Sequence, residues 1–315
     1  MTAKEQYRLL CNNKKLSIPL YVSAWWLDCV CGAETWEVLL YVGKNNEIEA
    51  AMPLYMPENK VIMMPPFTQT MGIWFHPALE NKKYASLLYH KQMICEYFIR
   101  QLPKHRYFQQ NFHHSFSDWL PFYWKGFRQT TRYTYLIPDL SNQERLEDNL
   151  CENIRRNIHK AQCKYALTVR PRVPSDVFMA LYRQTYQRQG KKVYYPAVLE
   201  QIIEMATDSR KGNIWGAYDA NGRLHAAVFI VWHNACAYYI AGGSDPDLRK
   251  SGGHALALRT AICDVSQFAQ TFDFEGSMAQ NIEHFFREFG GIQTPYHAIS
   301  QGKLTLIDKF FIHLK

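Results

Sequence analysis

The sequence predicts a mixed α/β fold (an α+β mixed sheet) built from two halves that share one plan. In each half, two strand-like runs joined by a polar turn come first, at residues 36–54 and 214–229. A long helical pattern, a short strand, a short helix that ends at glycine and a closing strand then follow in the same order. The chain has 315 residues, 47% of them hydrophobic, which is sufficient for the cores of two domains.

The elements of the first half follow from local patterns of apolar residues. A Gly-Lys-Asn-Asn turn at 43–46 separates two apolar runs, and a later segment repeats apolar residues at helical spacing. A short aromatic helix ends close to Gly126. The elements predicted for this half are strands 36–42 and 48–54, helix 83–101, strand 107–112, helix 119–127 and strand 131–135.

The second half repeats this order around a stronger turn signal. Asn221 and Gly222 form a typical hairpin turn, because both residue types tolerate positive φ. The predicted elements are strands 214–218 and 224–229, helix 254–268, strand 271–274, helix 282–289 and a strand that begins at 294. One constant offset relates Phe122, Thr131 and Tyr133 to Phe285, Thr294 and Tyr296. We interpret the repeated order as an internal duplication that has diverged.

The boundary between the halves lies near residues 138–143. Ser141 and Glu144 have the spacing of a capping box, which predicts the start of a polar helix that continues to about residue 163. We therefore expect an N-terminal domain over residues 1–140 and a C-terminal domain over residues 141–315.

Composition limits the classes of partner and compartment. The net charge of +8 favours anionic partners, such as the phosphates of a cofactor, a nucleotide-linked substrate, RNA or an anionic membrane. The most apolar stretch, 226–240, is interrupted by His233 and Asn234, and no secretory signal is visible, so we expect a soluble cytoplasmic protein. The eight cysteines include no Cys-x-x-Cys pair, which predicts reduced thiols and no metal site.

A glycine-rich loop precedes the long helix of the second half. Glycines just before a helix let backbone N–H groups converge, and with the helix dipole they form an anion site. A pyrophosphate would fit such a loop, whereas the alternative is a plain strand-to-helix connection with a glycine cap. The predicted donor-binding residues are Arg249, Lys250, Ser251, Gly252 and Gly253.

Several motifs together resemble the FemABX family and related GNAT-like transferases. In the second half these are Ala-Gly-Gly-Ser at 241–244, Phe-Asp-Phe-Glu-Gly-Ser at 272–277, and the helix 282–291 that ends in Phe-Gly-Gly. Residues 153–161 are similar to that family's basic R-R-x-I-x-K-A helix, and the first half carries a Pro-Pro-x-x-Gln-x-x-Gly element at 65–72. The resemblance thus extends over nearly the whole chain.

This resemblance implies two tandem GNAT-like (acyl-CoA N-acyltransferase) domains and transfer of an acyl or aminoacyl group from an activated donor to an amine. In Fem proteins the donor is aminoacyl-tRNA and the acceptor is an amine of a peptidoglycan precursor, whereas relatives use acyl-CoA. The donor co-substrate expected here is therefore acyl-CoA or aminoacyl-tRNA. The expected partners are a small-molecule or nucleotide-linked amine acceptor and tRNA, with transient contact to a membrane-linked precursor.

Two acidic residues of the second half are candidates for the general base. The attacking amine must lose a proton, and a carboxylate within reach of it can accept that proton. Asp273 and Glu275 alternate along the predicted strand, so both side chains should point to one face. The alternative is a structural role for Asp273, as a cap or an ion-pair partner.

Four further residues are candidates for substrate binding. Arg156 and Lys160 lie one turn apart on the basic helix and are able to hold a diphosphate, although a solvated basic face is the alternative. Gln69 belongs to the Pro-Pro element, and Tyr239 belongs to the apolar strand before the glycine-rich loop.

Two other functions remain open on the sequence alone. The charge and the aromatic content are also compatible with a tRNA- or other nucleic-acid-binding module, although no RNA-binding motif is visible. The second possibility is a catalytically inactive GNAT-fold binding protein, in which the fold persists without the chemistry.

Overall fold

The structure is a computed structural model that describes residues 1–58 and 60–304. The chain forms two compact units. The first unit contains Met1–Arg132 together with the described residues from Pro295 onward, and the second contains Tyr133–Thr294. In the described part of the chain, every helix is too short or too polar to cross a membrane. The domain division at residue 140 stays a prediction.

The first half of the chain forms four helices and six strands among its described residues. Short 3₁₀ turns at Leu20–Val22 and Pro77–Asn81 connect some of them. The helices and strands are α1 (Ala3–Cys11), α2 (Ala24–Cys31), β1 (Trp36–Val42), β2 (Ile48–Glu58), β3 (Val61–Met63), β4 (Trp74–Phe75), α3 (Tyr84–Gln101), β5 (Tyr107–Asn111), α4 (Leu120–Trp124) and β6 (Arg128–Ile137).

The second half adds six helices and six strands among its described residues. A π-helical segment, Lys160–Lys164, and a 3₁₀ turn, Arg249–Ser251, belong to it. Its elements are α5 (Gln143–Asn149), α6 (Glu152–His159), β7 (Thr168–Pro171), α7 (Ser175–Arg188), α8 (Pro196–Asp208), β8 (Gly212–Tyr218), β9 (Leu224–His233), β10 (Cys236–Ser244), α9 (Gly253–Val265), β11 (Thr271–Asp273), α10 (Gln280–Glu288) and β12 (Ile292–Gly302).

Each unit contains a mixed sheet, which confirms the predicted fold class. The strand order in the first unit is β1-β2-β3-β5-β12, with β4 beside β2, and in the second unit it is β6-β11-β10-β9-β8-β7. Among the strands that the structure describes, β3 pairs parallel with β5 and β10 with β11, and a long helix, α3 or α9, links each of these pairs. The two halves therefore follow one plan, as the internal duplication predicts.

The closing strands of the two halves are exchanged. Residues 136–137 of β6 pair with Phe272 and Asp273 of β11 in the second unit. Residues 298–302 of β12 pair antiparallel with β5 in the first unit. The sequence suggests that each closing strand completes the half that precedes it, and the observed pairing differs from that expectation. Ile299 is fully buried in the core of the first unit as a consequence.

The polar helix predicted from residue 144 to about 163 is interrupted. Leu150 has an extended backbone, so α5 ends there and α6 starts two residues later. Asn142 caps α5, because its side chain accepts a hydrogen bond from the backbone N–H of Arg145. The Ser141 hydroxyl donates to Asp139 Oδ1 (2.6 Å), so the predicted capping box is not formed.

Helix α9 is the central helix of the second unit. Its Ala- and Leu-rich sequence has high intrinsic helix propensity, and its buried residues pack against β8 and β9. The chain enters this helix directly from β10 through the glycine-rich loop. The candidate site lies where β10, this loop and the end of β11 come together.

Candidate functional site

The parallel strands β10 and β11 pair only briefly before they separate. Pairing runs from Cys236 with Thr271 to Tyr238 with Asp273, after which β10 continues for six more residues to Ser244. Strand β11 ends at Asp273, so one edge of β10 loses its neighbour at this point. A parallel pair that separates in this way leaves a gap in the sheet that is open to a ligand.

The chain turns away from β10 because two consecutive residues have left-handed backbones. Glu275 has φ 63° and Gly276 has φ 55°. An ideal Cβ on Gly276 would lie 2.1 Å from the backbone oxygen of Tyr133, so only glycine fits at the second position. The strand therefore ends before Glu275, and the expectation that one strand carries Asp273 and Glu275 on a common face was wrong.

Asp273 holds this turn in place. Its carboxylate Oδ1 accepts a hydrogen bond from the backbone N–H of Glu275 (2.7 Å) and another from the Thr134 hydroxyl. The side chain is 5% exposed, and this burial raises the pKa of Asp273 to about 6, although the two hydrogen bonds oppose the shift. Its contacts are those of a residue that shapes the loop.

The other strand of the gap is also irregular. The register between β10 and β9 shifts between Tyr239 and Ala241, which leaves Ile240 as a bulge. Helix α7 packs directly on the strand beyond the bulge, since a Cβ on Gly243 would lie 3.1 Å from backbone atoms of Leu181 and Tyr182. The Thr185 hydroxyl accepts from the backbone N–H of Ser244 (2.9 Å) and fixes the end of β10 to this helix.

A cavity of about 640 Å³ occupies the gap. Its walls come from β10, from α7 and the residues after it, from the start of α9, from the turn after β11 and from α10. Many of the lining side chains are aromatic, and three are cationic. The lining includes Tyr182, Tyr186, Arg188, Lys191, Tyr239, Gly242, Ser244, Arg249, His254 and Glu275. A cavity of this size accommodates a cofactor-sized ligand.

His254 links the two ends of the cavity-lining part of β10. Its Nε2 atom lies 3.1 Å from the Tyr239 hydroxyl, and its Nδ1 atom lies 3.2 Å from the Ser244 hydroxyl. The backbone of residue 242 passes beneath this contact: an ideal Cβ on Gly242 would lie 2.1 Å from the Tyr239 hydroxyl oxygen. Glycine at this position thus allows the Tyr239–His254 hydrogen bond.

The His254 ring is neutral at physiological pH. Burial lowers the pKa of His254 to about 4, and a hydrogen bond between the ring and the Gly243 carbonyl oxygen only partly offsets this effect. Nδ1 faces the Ser244 hydroxyl, and when Nδ1 carries the ring hydrogen, Nε2 keeps a free lone pair. The Nε2 lone pair is then the acceptor for the Tyr239 hydroxyl.

Burial also favours the neutral forms of two other groups that line the cavity. Burial raises the pKa of the Glu275 carboxyl well above its ordinary value, and it raises the pKa of the Tyr239 phenol. The basic side chains of the lining, Arg188, Lys191 and Arg249, are exposed. The cavity thus combines a neutral hydrogen-bonding interior with exposed cations.

The predicted donor loop divides into a buried part and an exposed part. Ser251, Gly252 and Gly253 are buried, and the Ser251 hydroxyl accepts the backbone N–H of Gly253 (3.2 Å). Arg249 and Lys250 are exposed, and Arg249 lines the cavity. The three buried residues position the start of α9, which leaves the two cations as the side chains that a soluble ligand can reach.

Gly252 allows the donor loop to approach α6, the helix that contains Arg156 and leads to Lys160, the other two predicted phosphate-binding residues. Gly252 has φ 85°, and an ideal Cβ on it would lie 2.1 Å from the backbone oxygen of Asn157 on α6. The Lys160 ammonium donates to Asn157 Oδ1 (3.1 Å), and Arg156 is exposed on the same helix. The predicted phosphate-binding residues of α6 and of the donor loop therefore belong to one region.

Two other predicted residues lie apart from each other. Tyr239 lines the cavity and contacts His254. Gln69 lies in the first unit, where its backbone oxygen accepts a hydrogen bond from the Asn111 side chain (2.9 Å), and it is absent from the lining of the cavity in the second unit. Among the residues that the structure describes, no group of three His, Cys, Asp or Glu side chains could hold a metal ion.

Comparison with known proteins agrees with this geometry. Residues 149–281 match the family model of the acetyltransferase (GNAT) domain, and this segment contains β10, the donor loop, α9 and β11. The crystal structure of FemX is similar at 12% sequence identity with a TM-score of 0.65, covering 94% of this chain and 96% of FemX. The chain is thus similar to the acetyltransferase (GNAT) domain over residues 149–281. Its fold is that of FemX.

Two further solved structures share the fold of this chain. The C-terminal domain of a putative lysylphosphatidylglycerol synthetase from Agrobacterium fabrum is 8% identical with a TM-score of 0.56, covering 99% of this chain and 96% of that domain. L-PGS from Bacillus licheniformis is 11% identical with a TM-score of 0.53, covering 98% of this chain and 95% of that one. No curated protein sequence matches the chain.

Several residues that line the cavity were not predicted from the sequence, because only the tertiary structure brings them to the site. His254 is the second residue of α9 and reads as part of a helix start, while Ser244 reads as part of a loop. Arg188 is the last residue of α7 and Lys191 follows the helix, more than 50 residues before the donor loop. Only the repeated glycines at 242–243 gave a local signal, since they mark a place where side chains approach the backbone closely.

Proposed function

We propose that this protein is a transferase that moves an acyl or aminoacyl group from an activated donor to an amine acceptor. The observation that carries the proposal is the cavity at the separation of β10 and β11, with cations on its exposed part and a neutral interior. A donor with an anionic carrier and a neutral acyl end has the complementary distribution of charge. The GNAT family match over the same residues supports this interpretation.

The donor would enter with its phosphates outside and its reactive end inside. Arg249 and Lys250, with Arg156 and Lys160 of the neighbouring helix, would contact the phosphates, because they are the cations that the Gly252–Asn157 contact places in one region. The acyl end would lie along the part of β10 that β11 leaves uncovered. Backbone N–H groups of such an edge stabilise the oxyanion of an acyl-transfer intermediate.

Proton transfer would run through Tyr239 and His254. The acceptor nitrogen attacks the acyl carbon, the C–N bond forms, and the bond from carbon to the sulfur or oxygen of the carrier breaks. The amine proton passes to Tyr239 as the phenol proton moves to His254 Nε2, which carries a lone pair at neutral pH. The leaving atom takes a proton from Glu275, whose raised pKa favours the protonated carboxyl, and solvent then carries the proton that His254 received back to Glu275.

We extend the same proposal to the donor, the acceptor and the compartment. Acyl-CoA and aminoacyl-tRNA both carry phosphates and an activated carbonyl, and both fit the arrangement described. The FemX-type fold and the motif resemblance favour an amine on a peptidoglycan precursor as acceptor, in the cytoplasm where such donors are made. The lysylphosphatidylglycerol synthetase neighbours favour an aminoacyl group over an acetyl group.

Donor binding and turnover by the full chain test the proposal. Calorimetric titration would use acetyl-CoA and, separately, mixed tRNA charged with labelled amino acids, and turnover would be followed with a mixture of primary amines. We expect one donor to bind and to react. His254→Gln should lower turnover by at least about tenfold while donor affinity stays within about twofold, since proton transfer typically contributes 10²–10⁴-fold.

Two matched variants complete the design. His284→Gln changes an exposed histidine of α10 whose ring lies 3.6 Å from Glu288, and it should leave turnover unchanged. Arg249→Glu should weaken donor binding, whereas Arg145→Glu, an exposed arginine of α5 outside the cavity lining, should not. Failure of both donors to bind, or equal effects of Arg249→Glu and Arg145→Glu, would contradict the proposed function and favour an inactive GNAT-like binding protein.

A further inference from the structure

Helix α4 of the first unit exposes a face that is entirely apolar. All five of its residues, Leu120-Pro-Phe-Tyr-Trp124, are apolar or aromatic, although only Pro121 and Phe122 are buried. Leu120, Tyr123 and Trp124 are 44%, 59% and 55% exposed. These three residues have i, i+3 and i+4 spacing, so they share one face of the helix. A surface helix normally has polar residues on its outer face, and their absence here indicates that something covers it.

The helix is held rigidly beneath this face. Phe122 is fully buried in the core of the first unit, in edge-to-face contact with Phe112 (5.1 Å between ring centroids). The backbone oxygen of Lys125, just after the helix, accepts a hydrogen bond from the Gln301 side chain (3.1 Å). The exposed side chains therefore stand on a fixed support, which reduces the entropy lost when they bind a partner.

Three cations follow the apolar helix closely in the chain. Lys125 comes directly after α4, and Arg128 and Arg132 are exposed residues of β6 whose spacing places them on one face of the strand. Among the residues that the structure describes, no carboxylate lies within ion-pair distance of these three side chains. Their charge is thus available to an anionic partner.

We propose that this face, Leu120, Tyr123 and Trp124 with Lys125, Arg128 and Arg132, docks the protein on an anionic lipid surface. Tryptophan and tyrosine with adjacent lysine and arginine are the composition of segments that lie in the membrane interface. A second copy of the chain is the other occupant, and the oligomeric state in solution distinguishes it from a lipid surface. The inference stands on the first unit and is independent of the proposed transfer reaction.

Sedimentation with lipid vesicles tests the inference on the full chain. Vesicles of phosphatidylcholine mixed with phosphatidylglycerol would be compared with vesicles of phosphatidylcholine alone. We expect binding to the mixed vesicles that weakens with salt. Lys125→Glu/Arg128→Glu should lower the partition coefficient by about 25-fold or more, since each cation near an anionic surface contributes a factor of about five. Tyr123→Ser/Trp124→Ser should lower it by about tenfold or more, through the apolar area lost from the interface.

Matched controls separate this face from the general positive charge. Lys14→Glu/Lys15→Glu makes the same change in net charge at exposed residues after α1, and Leu9→Ser removes an exposed leucine elsewhere in the first unit. Both controls should leave binding within about twofold. Absence of binding to the mixed vesicles, equal losses for the two charge variants, or an oligomer seen by light scattering that Trp124→Ser dissolves would each overturn the inference, the last in favour of a second copy.

Discussion

The Tyr239 hydroxyl oxygen occupies the place that a side chain on residue 242 would need. An ideal Cβ on Gly242 would lie 2.1 Å from that oxygen and 2.8 Å from Cε1 of His254. Real Cβ contacts do not occur at such distances, so any side chain at residue 242 must displace the Tyr239–His254 pair. The hydrogen bond between Tyr239 and His254 therefore requires glycine at residue 242.

Gly242→Ala tests this dependence. We expect the alanine to push the phenol away from His254 and to lower turnover by at least about tenfold, because the proton route is broken. Tyr239→Phe removes the hydroxyl that the alanine would meet, so the double variant should lose little beyond Tyr239→Phe alone. A double-mutant cycle in turnover measures this non-additivity. Additive effects of the two substitutions would show that Gly242 and Tyr239 act separately.

Gly252→Ala should destabilise the protein more than the same change at another left-handed glycine. Gly252 (φ 85°) would place a Cβ 2.1 Å from the backbone oxygen of Asn157, whereas Gly222 (φ 78°) has nothing within 4 Å of that position. Both substitutions cost about 1–2 kcal/mol for the left-handed backbone. Only Gly252→Ala also forces α6 to move, and an overpacked site typically costs a further 1–3 kcal/mol or so.

Urea unfolding of the two glycine variants measures the difference in the free energy of unfolding. The same samples would be titrated with the donor that the wild-type chain binds. We expect Gly252→Ala, and not Gly222→Ala, to weaken donor binding, because the shift separates Arg156 and Lys160 from the donor loop. Equal free energies of unfolding for the two variants would mean that the close approach to Asn157 is relieved without cost.

Asp273→Asn should remove a pH dependence of stability. The folded-state pKa of Asp273 is about 6, above the ordinary value of 3.8. The folded state therefore holds this proton more tightly, so the stabilising contribution is present below about pH 4 and is lost as pH rises to about 6. Because one pKa unit corresponds to about 1.36 kcal/mol, the free energy of unfolding falls by roughly 3 kcal/mol over this range. Asparagine keeps the Oδ1 acceptor for Thr134 and for the Glu275 N–H but cannot ionise.

Unfolding curves between pH 4 and 7 check this prediction. The Asn variant should be at least as stable as the wild type above pH 6, and the difference should shrink towards pH 4. Asp273→Ala, which loses both hydrogen bonds, should be less stable than wild type throughout. If Asp273→Asn instead left stability unchanged and abolished turnover, Asp273 would be the general base and the route through His254 would be wrong.

Most elements of the fold could be predicted from the sequence because their signals are local. The hairpin at Asn221-Gly222 and the Ala/Leu-rich helix α9 are determined by turn chemistry and by propensity over short stretches. The pairing of the closing strands was not predictable in this way. The offset that relates Thr131 and Tyr133 to Thr294 and Tyr296 makes β6 and β12 alike, so the duplication itself leaves either strand a plausible partner for β5 or β11.

The candidate site was predictable only in part, for the same physical reason. The glycine-rich loop can be recognised from a short stretch of sequence, and Tyr239 lies in the strand that leads to it. The contact between Tyr239 and His254 spans 15 residues and a bulge at Ile240, and periodicity carries no information about a bulge. The common face expected for Asp273 and Glu275 failed because a strand pattern does not show where left-handed residues end the strand.

Ile299→Ala tests the exchange of the closing strands. Ile299 is fully buried in the core of the first unit. A buried isoleucine cut to alanine costs about 2–5 kcal/mol. Because β12 pairs with β5, we expect amide hydrogen exchange to accelerate at Phe108–Asn111 and to remain slow in β10. Ile292→Ala, at a 57% exposed position of the same strand, should change neither. Faster exchange in β11 without a change in β5 would mean that β12 stabilises the half that precedes it, and the exchanged pairing would be wrong.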